Sequence, residues 1–223
     1  MPMIVNTFEQ LSEKVNLRDV FYVPSYLDDY FFRPTSQLLI CEGDLVLDGD
    51  LRLDWGELNA LAPEGTWDLN VLVVFGDLIL DGGLLNTDMD GGPVLLVQGN
   101  VKARNLISGG SDIIVMGNAD ISDVVFANYN HGYLEVKGQL SAGLLVMVDH
   151  SYDLEDLNVP VQIFEEDDGD EDGGLPAHLV QINGLLKRPV SDLDDLKTQI
   201  IEDGDVLNDD AKYPAWSTSR SDD

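Results

Sequence analysis

The chain has 223 residues, 44 % of them apolar, and sets 42 Asp and Glu against 12 Lys and Arg, for a formal net charge of −30. That excess of carboxylates argues against direct contact with nucleic acid, where Lys and Arg must neutralise phosphates, and against anionic membranes. It favours basic partners or cations, and the apolar content suffices for one main domain with appendages.

Cys41 is the single cysteine, so no intrachain disulfide can form. Its place in an apolar strand makes it a small buried hydrophobe, and a lone cysteine fits a reducing compartment. The start MPMIVNTFEQLSEK has no charged stretch followed by a long apolar run. No window approaches the roughly 18 apolar residues of a membrane span. The expectation is a soluble, cytoplasmic protein.

In chain order, the first predicted element is a short helix. Thr7 and Gln10 have the spacing of a capping box, and Phe8, Leu11 and Val15 fall on one helical face. Aromatic residues follow at Phe21, Tyr22, Tyr26, Tyr30, Phe31 and Phe32. Residues 1–37 therefore read as an N-terminal helical cap.

From 38 to 160 the sequence repeats itself. Five stretches align: LLICEGDLVLDGDLRL (38–53), VLVVFGDLILDGGLL (71–85), VLLVQGNVKARNLI (94–107), DIIVMGNADISDVV (112–125) and YLEVKGQLSAGLLV (133–146). Each is anchored on a glycine, Gly43, Gly76, Gly99, Gly117 or Gly138, at spacings of 33, 23, 18 and 21. Positions two and four before and after each anchor are apolar, as at Leu39, Cys41, Leu45 and Leu47. Such period-2 alternation gives short strands with one inward face. A second apolar pair follows in the later copies: Leu106 and Ile107, Val124 and Val125, Leu145 and Val146.

The anchor glycine marks a bend, for which its tolerance of positive φ is the expected reason. The next residue is polar each time: Asp44, Asp77, Asn100, Asn118 and Gln139. Stacked copies would line these up as a ladder along one corner. A leucine-rich repeat has a similar period but a different pattern, LxxLxLxxN. The predicted fold is therefore mainly β, a single-domain parallel β-solenoid of about five coils with helical or irregular N- and C-terminal caps. Residues 54–70 are an insertion, expected as a lateral loop carrying Trp55 and Trp67.

Residues 161–223 contribute an acidic loop, a C-terminal helix and a flexible tail. In the loop, Asp168, Asp170, Asp172 and Gly173 match the opening of an EF-hand, but its twelfth position is Leu179 where a bidentate Glu is needed. A solvated charge run is the expectation. The segment SDLDDLKTQIIEDG (191–204) is a short amphipathic helix with Ser191 as N-cap, a stripe of Leu193, Leu196, Ile200 and Ile201, and Gly204 at its end.

No P-loop, dinucleotide fingerprint, GxSxG, HExxH or CxxC motif is present. His131 and His150 are 19 residues apart, about one coil, so they stack near one edge beside Asp149. They admit a metal site or an acid–base pair, or simply a polar corner bonded to loop backbone. The spacing fixes no third ligand and no nucleophile, so no catalytic residue, metal or cofactor is assigned.

The run of glycine-centred apolar units over residues 38–148 resembles the repeats of bacterial polymer-forming solenoids of the bactofilin type. That resemblance implies a core that assembles end to end. The structured flanks and the charge depart from the pattern. A looser likeness, resting on charge and the lack of catalytic motifs, is to acidic immunity proteins that neutralise toxins.

The leading expectation is a non-enzymatic acidic module, an immunity or inhibitor protein, that binds a basic protein partner such as a bacterial toxin as a monomer or small oligomer. Its candidate partner-binding residues are Trp55, Trp67, Asp88, Asp90, Tyr129, His131, Asp149 and His150. The alternatives are a scaffold polymerising through solenoid ends and an enzyme using His131 or His150.

Overall fold

The computed structural model describes residues 3–21, 25–27, 31–129, 131–165 and 177–213. The chain opens with strand β1 (Ile4–Thr7), followed by helices α1 (Phe8–Ser12) and α2 (Leu17–Val20). The capping box is present: Thr7 Oγ1 accepts from Gln10 N–H, and Gln10 Oε1 accepts from Thr7 N–H. The repeat then runs as coils of three strands. Coil 1 is β2 (Gln37–Cys41), β3 (Leu45–Leu47) and β4 (Leu51–Arg52). Coil 2 is β5 (Val71–Val74), β6 (Leu78–Leu80) and β7 (Leu84–Leu85). Coil 3 is β8 (Val94–Val97), β9 (Val101–Ala103) and β10 (Leu106–Ser108), and coil 4 is β11 (Asp112–Val115), β12 (Ala119–Ile121) and β13 (Val124–Asn128). In coil 5 the first two strands merge into β14 (Tyr133–Ser141), followed by β15 (Leu144–Val148).

Equivalent strands pair in parallel and build a β-solenoid with three walls. The inward residues fill a lumen that includes Leu39, Cys41, Leu72, Val74, Leu95, Val97, Ile113 and Val115. Cys41 is fully buried there.

The repeat continues one coil past its last glycine. Strand β16 (Ser151–Asn158) pairs with the whole of β14, and β17 (Val161–Glu165) pairs with β15. The register shifts between Val136 and Gln139, where Lys137 and Gly138 face a shorter corner in β16. Without a glycine, this sixth coil carries no sequence mark.

The anchor glycines are required for a different reason from the one expected. None of the five has positive φ. Gly76, Gly99, Gly117 and Gly138 are needed because successive coils touch there. A Cβ on Gly76 would lie 2.5 Å from Asp44 N, and one on Gly99 2.6 Å from Gly76 O. The polar residues after them form the expected ladder. Asp44 Oδ1 accepts from Asp77 N–H at 2.8 Å, Asp77 Oδ1 from Asn100 N–H at 2.7 Å, Asn100 Oδ1 from Asn118 N–H at 2.9 Å, and Asn118 Oδ1 from Gln139 N–H at 2.9 Å.

The insertion 54–70 does not project sideways. It folds a 3-10 turn (Glu57–Leu61), and Leu58 and Leu69 are buried with the lumen residues. A stacked solenoid admits side chains only at its ends, so this segment plugs the lumen at coil 1. Trp55 and Trp67 stay at the surface, 43 % and 71 % exposed.

The helical flanks at both chain ends cover walls. Leu11, Leu17, Phe21, Leu27 and Phe32 pack on the outer side of the first wall, against Leu38, Ile40, Val71, Val73, Val94 and Leu96. Phe31 packs against the same cluster, whereas Tyr22, Tyr30 and the side chain of Tyr26 lie outside the described residues. Strand β1 adds antiparallel to β2 and takes up its free edge. Helices α3 (Ala177–Asn183) and α4 (Leu193–Asp203) cover the third wall, with Leu179, Ile182, Leu196 and Ile200 against Leu85, Ile107, Val124, Phe126 and Val146. The N-cap of α4 is Asp192, not Ser191: Asp192 Oδ1 accepts from Asp195 N–H at 2.7 Å, while Ser191 Oγ donates to Asp192. An aspartate holds its acceptor closer to the N3 amide and adds charge favourable to the helix dipole. The EF-hand-like residues Asp168, Asp170, Asp172 and Gly173 lie outside the described residues.

On the outer side of the first wall, Glu135 is fully buried and Lys137 neutralises it. Lys137 Nζ lies 2.9 Å from Glu135 Oε1 and 2.8 Å from Asp153 Oδ2. These carboxylates hold the lysine well above its usual range.

Two measurements check these contacts. Gly99→Ala is expected to cost about 3 kcal/mol by denaturant unfolding, because the coils cannot separate locally. Gly65→Ala, where φ is +86° and a Cβ meets nothing within 4 Å, is expected to cost only about 1 kcal/mol. Lys137→Met strands the buried Glu135 carboxylate and is expected to cost about 3–5 kcal/mol, much of it recovered in the double variant with Glu135→Gln.

Candidate functional site

Connections between the first and second walls, and between the second and third, have at most three residues. Those from the third wall to the next coil are 53–70, 86–93, 109–111, 129–132 and 149–150. They stack along one corner, which carries Trp55, Asp88, Asp90, Tyr129, His131, Asp149 and His150. Trp67 lies apart, at an open groove with Arg33, Gln37 and Asp68.

The corner rests on a buried polar frame. Asn86 Nδ2 donates to Leu53 O at 3.1 Å, and its Oδ1 accepts from Gly109 N–H at 3.1 Å and Ser111 N–H at 2.8 Å. One side chain thus ties three successive connections. The Asp54 carboxylate accepts from Thr87 N–H and Oγ1–H and from Asp88 N–H, at 2.6–2.9 Å. Its charge is spent on holding that loop. Lys197 of α4 donates to Thr87 O at 3.1 Å from the far side.

On this frame, Trp55 N–H donates to Asp88 Oδ2 at 3.3 Å, and the indole packs on Gly91. A Cβ at Gly91 would lie 3.3 Å from Trp55 Cζ2. Met89 is exposed beside it. His131 Nδ1 is 3.9 Å from Asp90 Oδ1, with both side chains in solvent, so the pair contributes little. The His131 ring meets the Tyr129 ring edge-on at 4.7 Å. Tyr129 and Asp149 have φ of 89° and 44°, left-handed values that cost a side-chain-bearing residue energy and that the surrounding frame must hold.

His150 sits beneath this surface. Its Nδ1 is 2.7 Å from Tyr129 O, and since a carbonyl only accepts, Nδ1 carries the proton. Its Nε2 then accepts from Ser108 Oγ–H at 3.2 Å. A serine bonded to histidine suggests nucleophilic chemistry, but the environment does not support it. Ser108 is fully buried. The nearby amides of Gly109 and Ser111 are held by Asn86, and that of Gly110 by Asp88 O. Burial closes the hydroxyl to an acyl group, and these three amides are not free to bind an oxyanion. The dyad is a latch joining the ends of coils 3, 4 and 5. His131 and His150 share this corner through Tyr129, and among the described residues no three His, Cys, Asp or Glu side chains converge as metal ligands.

The frame residues Asp54, Asn86, Ser108 and Ser111 were not singled out from the sequence. Their one signal is polarity immediately beyond the third strand of a coil, which reads equally as ordinary turn composition.

Comparison with protein-family models, with curated proteins and with solved structures returned no match to this chain. The class is defined by the fold itself: a three-walled parallel β-solenoid with helical flanks on two walls. Among the described residues, no helix is long and apolar enough to cross a membrane.

Burial lowers the pKa of His150 below the ordinary histidine value. As the pH falls, the unfolded chain therefore takes up this proton before the folded one does. The stability from neutral His150 is fully present above about pH 6.5 and is lost as the pH falls toward the depressed folded value. Unfolding free energy measured between about pH 7.5 and pH 5.5 is expected to decline, and His150→Gln to flatten that decline. Asp123, whose pKa burial raises, acts in the opposite sense, so the comparison with the variant isolates the histidine.

Proposed function

We propose that this chain is a non-enzymatic acidic binding module that captures a basic protein, acting as an inhibitor or immunity protein that neutralises a partner such as a bacterial toxin. The observation that supports this most is the outer surface of the long-loop corner. It presents Trp55 and Met89 beside Asp88, Asp90 and His131 on a frame fixed by buried hydrogen bonds. Exposed aromatic and methionine side chains on a rigid support are natural anchors, and the surrounding carboxylates steer a cationic partner. The net charge of −30 acts in the same direction. His150 and Ser108 are occupied with each other, which weighs against the enzyme reading.

A scaffold that polymerises through its ends is the second reading. It draws support from the outer edges of β16 and β17, to which no described strand pairs. The carboxylates of β16 oppose self-stacking, and filaments in light scattering at micromolar concentration would favour the scaffold.

The test of the first reading is affinity capture from extracts of the source organism at low salt. A basic protein is expected, with affinity reduced about tenfold or more by Trp55→Ala and by Asp90→Lys, and with an association rate that falls as salt rises. Recovery of no basic partner, or of one indifferent to both substitutions, overturns the reading.

A further inference from the structure

The two ends of the solenoid are built differently. At coil 1, the edge of β2 is taken by β1, β3 and β4 are three and two residues long, and the insertion plugs the lumen. At coil 6, β16 runs eight residues without Pro or Gly through the corner where coils 1 to 4 bend. Among the described residues no strand pairs with its outer edge. Every second amide and carbonyl of β16 points away from β14, which is a template for strand addition.

The side chains of this end fall into two rows. Tyr152 and Phe164 are the register partners of the inward residues Leu134 and Met147, so they stand at the mouth of the lumen. They remain 48 % and 46 % exposed, with their rings 5.6 Å apart. Leu154 and Leu157 lie partly buried in the same row. The outward row carries Asp153 and Glu155, followed by Asp156 at the corner, and neither β16 nor β17 contains Lys or Arg. Lys137 reaches Asp153 closely but stands 3.9 Å from Glu155.

We infer that coil 6 is a docking site for an extended basic segment of a partner protein, which adds to β16 as the first strand of a seventh coil. The recognised pattern alternates apolar residues, which enter the lumen mouth beside Tyr152 and Leu154, with Lys or Arg beside Asp153 and Glu155. Backbone pairing supplies affinity, and the two rows supply specificity. Charge decides among occupants. A second copy stacked tail to tail sets β16 against itself, and one stacked head to tail sets it against exposed Glu42, Asp44, Asp48 and Asp50. Segments 166–176 and 214–223 of this chain each carry net negative charge. The inference rests on the basic-partner reading and adds the segment of the partner and the end of the solenoid that receive each other.

The test uses the full chain and a synthetic peptide of the length of β16 that alternates lysine and valine. Saturable binding is expected, weakened about tenfold by Glu155→Lys with Asp156→Lys, together with slowed amide hydrogen exchange in β16. The same peptide N-methylated at alternate amides is expected not to bind. Equal binding of the methylated peptide, or binding without protection of β16, overturns the inference. So does failure of the wild type to bind while Glu155→Thr with Asp156→Thr causes self-association, since those carboxylates then only block aggregation. The two readings fail separately. A captured basic protein that depends on Trp55 but not on Glu155 and Asp156 sinks the strand site alone. Protection of β16 by the peptide, with no basic protein captured, sinks the proposed function alone.

Discussion

Everything in this molecule depends on the closeness of successive coils at the anchor corner. A Cβ on four of the five anchor glycines would sit 2.3–2.8 Å from the preceding coil. That closeness lets each Asp or Asn accept a hydrogen bond from the backbone of the next coil. The ladder sets the register, and the register brings apolar side chains into the same lumen positions coil after coil. Period-2 alternation means that a slip of one residue would turn the lumen residues outward, so ladder and core enforce each other.

The coils were legible because these constraints act within a few residues. An alternating strand, a glycine and a polar side chain leave a local pattern that survives spacings of 33, 23, 18 and 21. The sixth coil was not legible, because its corner dispenses with the glycine. Strand β1 was hidden since its pairing with β2 is decided across 29 intervening residues and its IVNT sequence is too short to show a period. Leu58 and Leu69 looked like loop residues because their burial depends on where the chain returns, not on their neighbours. The bend expected at these glycines is there in the first four coils, but positive φ is not what demands the residue: a close stacking contact is, and sequence cannot separate the two.

The candidate site was legible in part for a similar reason. Trp, His and Asp draw notice as chemistry-bearing types, and those noticed between 88 and 150 converge on one corner because every long connection emerges there. The side chains that hold them in place, Asn86 and Asp54 above all, are ordinary turn residues when read singly. Trp67 belongs to the same insertion as Trp55 yet lies elsewhere, since the plug formed by Leu58 and Leu69 separates them. A buried Ser–His pair shows the converse: two residue types that signal catalysis form, in this environment, a structural bond.

The uneven length of the connections has an evolutionary consequence. Two corners hold at most three residues in every coil, close against the ladder or the flank contacts. The third has absorbed connections of between two and eighteen residues while the strands they join keep their parallel pairing. Where the buried frame and the lumen plug are kept, insertions and exchanges in these connections change chiefly the surface. Relatives of this chain could therefore diverge in what they recognise while sharing one core, much as variable loops diversify on a fixed framework.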